Sequence, residues 1–271
     1  MFNGEWTASG VCFVRSLTGC HLATSVAPKV APCHHEDLAQ LENPHAPFEG
    51  GLYDAICRGD ERKVRLLLER GERCAEGTGV TGLHHAAVTW HVGVVQALLE
   101  HGADVLAIDS DDWPPLFWAA ASGNVDVMQL LVDAGADINI TSVTDKGYSA
   151  LHAAAQGMPD NNAVDAVRWL LDRGADINVR AVARVRLCDI TVPMTPLHVS
   201  AQSTFPGVVQ LLLDRGATTD ACGGSGINPT PLHSALPLRS FRSSTQLLSS
   251  DDGPLLRVVR ALLDAGANPA A

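Results

Sequence analysis

The stretch TGLHHAAVTWHVGVVQALLEHGADV, residues 81–105, decides how this chain folds. Leu83, Ala86 and Ala87 fall at i, i+3 and i+4, the apolar stripe of a helix that buries one face. The alanines keep that helix thin, so a neighbour can come close. A longer amphipathic helix follows and runs into Gly102, where a left-handed residue at C′ ends it cheaply. Two helices this short cannot bury their apolar faces against each other alone, so the unit must stack.

The rest of the chain supplies the stack. The first half recurs as PPLFWAA (114–120), SALHAAA (149–155), TPLHVSA (195–201) and TPLHSAL (230–236). The second half recurs as LLERGERC (67–74), LLVDAGADIN (130–139), LLDRGADIN (170–178), LLLDRGATTD (211–220) and LLDAGANPA (262–270). Gly135, Gly174 and Gly216 take the place of Gly102. This self-similarity marks a repeat architecture.

The pattern resembles the ankyrin repeat family, whose signature is Thr-Pro-Leu-His-x-Ala-Ala followed by Leu-Leu-x-x-Gly-Ala-Asp. The resemblance implies an all-α repeat solenoid of helix-turn-helix units joined by short β-hairpin fingers. The fingers and inner helices would line a concave groove. The repeat domain spans 50–271, with repeats at about 75–105, 106–139, 140–178, 179–221 and 222–271. Residues 50–74 resemble an N-terminal capping repeat, and Asp60, Glu61, Arg62, Lys63 and Arg65 give it the polar outer face an end unit needs. The last helix (255–264) is as apolar as an internal one. Either the array continues or something else covers that end. Residues 1–49 carry no repeat and form an irregular N-terminal segment, in which HEDLAQLE (35–42) suits two helical turns packed on the capping repeat.

Glycine-to-glycine steps from Gly71 to Gly266 run 31, 33, 39, 42 and 50. Against a family period of about 33 residues, the third to fifth repeats carry insertions, which must emerge as loops. MPDNN (158–162) lengthens an inter-helix turn. VRAVARVRLCDITVPM (179–194) alternates apolar and polar residues with many β-branched ones, and reads as an extended hairpin finger. It also carries Arg180, Arg184 and Arg186. PLRSFRSSTQLLSSDDG (237–253) is Ser-rich and reads as a loop between helices.

Composition narrows the functional classes. A formal charge of −11 argues against general nucleic-acid affinity, which needs a basic footprint. No apolar run approaches the ~18 residues of a membrane span, and the N-terminus has Glu5 where a secretory signal is basic. Seven scattered cysteines read as free thiols in a reducing compartment, cytoplasmic or nuclear. A monomer without cofactor or metal is expected. The soft ligands of CH (20–21) and CHH (33–35) lack a second x₂-spaced pair. GxSxG, HExxH and phosphate-cradling Gly-rich loops are absent from the sequence.

In the family, the residue before the Thr-Pro pair sits at a fingertip facing the groove. Here those residues are Val80, Trp113, Tyr148, Met194 and Pro229. All are apolar or aromatic, and an exposed row of them reads as an interaction surface. Trp and Tyr bring large contact area at low entropy cost. The groove-facing inner-helix positions are Val88, Thr89, Ala121, Ser122, Gln156, Gly157, Gln202 and Ser203, small or polar residues suited to floor a cleft. Asp109, Asp111 and Asp112 make the Trp113 finger negative, opposite the positive Arg184 and Arg186. Phe117, in the slot of the signature histidine, and Trp118 are expected in the core. The signature histidines themselves, His84, His152, His198 and His233, are implied by the resemblance to bond backbone of neighbouring fingers. Trp90 replaces the usual glycine of the inter-helix turn, which sets its left-handed geometry in question.

These features favour a scaffold-like module that binds a protein partner. The alternative is an enzyme or small-molecule binder whose insertions close a pocket over the groove, with His85, His91, Asp111 and Asp112 as acid/base groups.

Overall fold

The structure, a computed structural model, describes residues 51–72, 80–109, 111–142, 147–157, 161–185, 190–220, 230–235 and 253–268. Helices come in pairs: α1 (Leu52–Arg58) with α2 (Glu61–Glu69), α3 (Gly82–Val88) with α4 (Val92–Glu100), α5 (Pro115–Ser122) with α6 (Val125–Asp133), and α7 (Ala150–Gln156) with α8 (Asn161–Asp172). Strands β1 (Ala181–Val185) and β2 (Ile190–Met194) then precede α9 (Pro196–Gln202) and α10 (Pro206–Asp214), and α11 (Pro231–Ala235) pairs with α12 (Pro254–Asp264). The odd-numbered helices pack on one another in sequence, as do the even-numbered ones, so two parallel layers run the length of the array. This is the all-α repeat solenoid the sequence implies.

Alanine sets the spacing. Ala86, Ala87, Ala119, Ala120, Ala153, Ala154, Ala155 and Ala201 are essentially fully buried between inner helices. The outer helices contribute Val95, Leu98, Met128, Leu131, Val167, Leu170, Val209 and Leu212 to the same core. Each outer helix stops as expected at a left-handed glycine. At Gly102 (φ 80°) its own amide and that of Ala103 turn back onto the Leu99 and Leu98 carbonyls at 3.0 Å each.

The inner helices begin on a reciprocal cap. The Thr81 amide donates to Nδ1 of His84 at 3.1 Å, and the two side chains lie 2.9 Å apart. Ser149 with His152 and Thr195 with His198 repeat the arrangement. Because Nδ1 accepts, the ring proton sits on Nε2. From there His84 donates to the Trp113 carbonyl at 2.9 Å and His152 to the Met194 carbonyl at 3.0 Å. Two of the signature histidines thus tie one unit to the next finger.

The extended hairpin is present. β1 and β2 pair antiparallel from Ala181↔Met194 to Val185↔Ile190, while residues 186–189, and with them Arg186, lie outside the described residues. The inter-helix link of the third repeat is longer than its neighbours', although Asn161 and Asn162 already belong to α8. The Ser-rich insertion, apart from Gly253, and the segment 1–49 also lie outside the described residues. No helix among the described residues is long and apolar enough to cross a membrane. Cys57, the one described cysteine, is a free thiol whose pKa burial pushes up. Trp90 keeps the left-handed conformation (φ 63°) despite its side chain.

Burial drives the His152 pKa down from 6.5 to about 4, against the opposing pull of the Met194 carbonyl. His84 is lowered for the same reason. The unfolded chain takes up its histidine protons near pH 6.5. A depressed folded pKa therefore leaves this stability intact above pH 6.5 and removes it as pH falls toward 4, on the order of 3 kcal/mol for His152. Thermal melts between pH 7 and 4.5 should show a falling Tm, and His152→Gln should flatten that slope. An unchanged slope in the variant would mean that His152 is not a source of the acid sensitivity.

Candidate functional site

The fingertip row does not stand in open water throughout. Val80, Trp113 and Met194 are half-buried, Pro229 lies outside the described residues, and Tyr148 is only 2% exposed. The expectation of an exposed Tyr148 is therefore corrected, and the cause is Phe117. It replaces the histidine that would have reached the Tyr148 carbonyl and puts an apolar ring under the finger. The Tyr148 ring turns in against it. It stacks on Trp113 with centroids 5.2 Å apart and an 8° interplanar angle, and on His152 at 5.0 Å. Phe117, fully buried as expected, meets Trp113 and Tyr148 edge-on at 5.9 and 6.4 Å. The Tyr148 hydroxyl donates to Oε1 of Gln156, which links the buried rings to the groove floor.

Trp118 departs from the core position expected of it. Its indole is only partly buried, and Nε1 donates to Oδ2 of Asp109 at 3.0 Å. The other Asp109 oxygen accepts the Asp111 amide at 2.8 Å and the Trp113 amide at 2.9 Å. Asp109, 7% exposed, is thus an internal clamp of the finger and not part of a negative rim. That role was hidden in the sequence, because the indole it holds is nine residues away on another element. Asp111 and Asp112 remain on the finger, partly exposed, with Asp112 in the left-handed region (φ 57°).

The groove floor is narrower than the sequence suggests. Val88, Ala121 and Ser122 are buried at 6–8% exposure, because alanine-lined inner helices approach too closely to leave them open. The Ser122 hydroxyl is used internally, donating to the Ala119 carbonyl at 2.9 Å. Gln156 and Gln202 are exposed, and Thr89, Gly157 and Ser203 partly so. Arg184 lies in β1, and Arg180 at the base of the hairpin is exposed. Trp90, singled out in the sequence only for its backbone, is 49% exposed at the far end of the inner helix from the fingers. Its signal was present: a bulky side chain where the turn demands positive φ.

The four acid/base candidates are not brought together. His85 packs edge-on against Tyr53 at 4.8 Å and Trp118 at 5.9 Å, and bonds the Tyr53 hydroxyl at 3.2 Å. Burial lowers its pKa, and that of His91. His91 lies against Gly59 at the inter-helix turn, an inner-helix length of about 10 Å from the finger that carries Asp111 and Asp112. Among the described residues, two clefts of about 440 and 280 Å³ lie at the turns beyond the outer helices, lined by Leu213–Asp220 residues and by Ile138, Asn139, Ser149 and Asp176. Neither includes any of the four.

The comparisons agree with this architecture. The family model for ankyrin repeats (3 copies) matches residues 52–142 and 112–181, and that for a single ankyrin repeat matches 194–223. The chain belongs to the ankyrin repeat family. It is 32% identical over 258 residues to human ankyrin repeat and SOCS box protein 16, an alignment covering 92% of this chain and 52% of that protein. The chain therefore spans about half the length of that relative. It is 26% identical over 95 residues to the human Notch-regulated ankyrin repeat-containing protein, covering 32% of this chain and 83% of the relative. Among solved structures, the crystal structure of the human ASB11 ankyrin repeat domain superposes with a TM-score of 0.61 at 25% identity, covering 82% of this chain and 86% of the other. Ankyrin repeats are in general modules for protein–protein interaction, and this chain shares that general role.

Asp109→Ala strands an indole N–H and two backbone amides, and should cost about 2–3 kcal/mol. Urea denaturation followed by tryptophan fluorescence measures the loss. A change under about 0.5 kcal/mol would show that solvent replaces the clamp, since substitutions of that size are typical of unconstrained surface sites.

Proposed function

We propose that this chain grips a protein partner in the concave groove between its fingers and inner helices. The supporting observation is the floor itself: Gln156 and Gln202 reach solvent at equivalent positions of the third and fourth repeats, and Thr89 is partly exposed one place further along in the first, between half-exposed tips at Val80, Trp113 and Met194. The Tyr148 hydroxyl already occupies the Gln156 oxygen, so the amide offers a partner its N–H donors. Those donors match the carbonyls of an extended polypeptide. Val88, Ser122 and Tyr148 act from below, by fixing the floor and the central tip in place.

Charge orients the partner more than it holds it. Asp111 and Asp112 mark one finger as negative, and Arg184 and Arg186 mark the hairpin as positive. The module acts as a monomeric scaffold, inside the cell, on protein and not on nucleic acid. The acidic balance of the whole chain supports that choice of partner.

Gln202→Arg puts a charged side chain on the floor, and Gln210→Arg makes the same change on the exposed face of α10. Both variants should melt within a few degrees of wild type. Affinity capture from cell extract, quantified by mass spectrometry, should show the specific partner lost at least tenfold with Gln202→Arg, about 1.4 kcal/mol, and retained with Gln210→Arg. Equal recovery by the two variants would rule out the groove.

A further inference from the structure

A short run of residues leads from each helix-ending glycine up into the next finger, and the units differ in what they place there. At the fourth and sixth places after Gly135 stand Asn139 and Thr141, and after Gly174 stand Asn178 and Arg180. All four are polar. After Gly102 the same two places hold Leu106 and Ile108, which are 52% and 50% exposed. Two positions apart, their Cα atoms lie within about 7 Å of each other. Val105 and Ala107 between and beside them are only partly covered.

Folding does not account for this pair. The Asn139 oxygen accepts the Asp176 amide at 3.1 Å, and the Asn178 oxygen accepts the Thr218 amide at 3.0 Å. In each case the donor is the second residue after the next unit's glycine. The same register sets Leu106 beside Asp137, whose amide an aliphatic side chain cannot accept. Leu106 thus forgoes a bond to the next unit, and neither it nor Ile108 gains burial in return.

The rim of the patch is negative. Asp104, Asp137 and Asp176 hold one place in successive units, all three exposed. Each carboxylate accepts the amide two residues on, at 2.9, 2.9 and 3.0 Å. Among the described residues no lysine or arginine is ion-paired with any of them, and the outer-helix cations Arg65 and Arg215 are committed to Glu100 and Asp172. An exposed apolar patch with a polar rim is the mark of an interaction site. Unpaired carboxylates repel the phosphates of nucleic acid and anionic lipid and draw in cations.

We propose that this patch docks a basic segment of a partner protein. An aliphatic side chain of that segment covers Leu106 and Ile108, and lysine or arginine on either side of it faces Asp104 and Asp137. The site uses no residue assigned to the groove, so it stands whether or not the groove binds.

The probes are three short synthetic peptides titrated into the full chain: lysine alternating with leucine and valine, lysine alternating with serine, and serine alternating with leucine and valine. The Leu106 and Ile108 methyl groups report contact in carbon-13 NMR spectra. The lysine–aliphatic peptide should shift both, bind about tenfold tighter than either of the others, and weaken as salt rises to about 0.5 M. Leu106→Asn with Ile108→Thr, the residues of the next unit, should melt no lower than wild type and weaken this peptide about tenfold. Asp104→Asn with Asp137→Asn keeps both turn oxygens, removes only charge, and should weaken it and flatten its salt dependence. Gln202→Arg on the groove floor should leave it unchanged. Equal binding of the lysine–serine peptide, methyl groups that do not shift, or an affinity unmoved by the Leu106 and Ile108 changes overturns the proposal. Loss of the peptide with Gln202→Arg instead would assign it to the groove, which overturns this site and leaves the groove reading standing.

Discussion

One imidazole does two jobs in this fold. Its Nδ1 closes the start of its own helix by accepting the N-cap amide, and that bond obliges Nε2 to carry the proton that reaches the next finger. Local helix formation and inter-unit cohesion are thus the same event. A unit whose inner helix fails to form cannot hold its neighbour, and a unit without a neighbour leaves the ring's second nitrogen unpaired in an apolar site. The nearest-neighbour character of solenoid stability follows from this coupling. So does the need for a neutral ring, since a protonated Nδ1 would face the amide it must accept.

Where the imidazole is missing, the structure shows what else can do its work. Phe117 cannot bond the Tyr148 carbonyl, which accepts the Ser142 amide within its own finger at 2.8 Å. Cohesion passes to ring contacts, and two nearly fully buried aromatic side chains contribute about 1.5–3 kcal/mol each by area, against about 1 kcal/mol for a typical hydrogen bond. The exchange keeps the stack together and gives up directionality. It also withdraws Tyr148 from the groove surface, where Gln156 and Gln202 stay exposed beside half-covered apolar tips.

Much of this was legible in the sequence because it is local. The Leu-x-x-Ala-Ala stripe, the glycines that end the outer helices and the hairpin alternation of 181–194 each depend on residues a few positions apart. Phe117 was assigned to the core on the same grounds, and is there. What could not be read was any outcome settled between units. Tyr148 turned inward because a residue 31 positions earlier lacked a polar head, and Asp109 was claimed by an indole on the following helix. Val88 and Ser122 were covered by how closely two alanine faces approach. Such results depend on distances in the stack, which a pattern of residue types does not encode.

Trp90 has a consequence of another kind. Of the equivalent turns, two use Gly59 and Gly123, which adopt positive φ without penalty, and one uses Thr204; a side chain there costs of order 1 kcal/mol, and at Trp90 it leaves half an indole in water. Left to selection for thermal robustness alone, this codon would drift to glycine within any library that scores melting. Stabilised versions of the chain will therefore tend to lose that ring, and what they lose with it measures how much of the molecule's surface is kept for reasons other than folding.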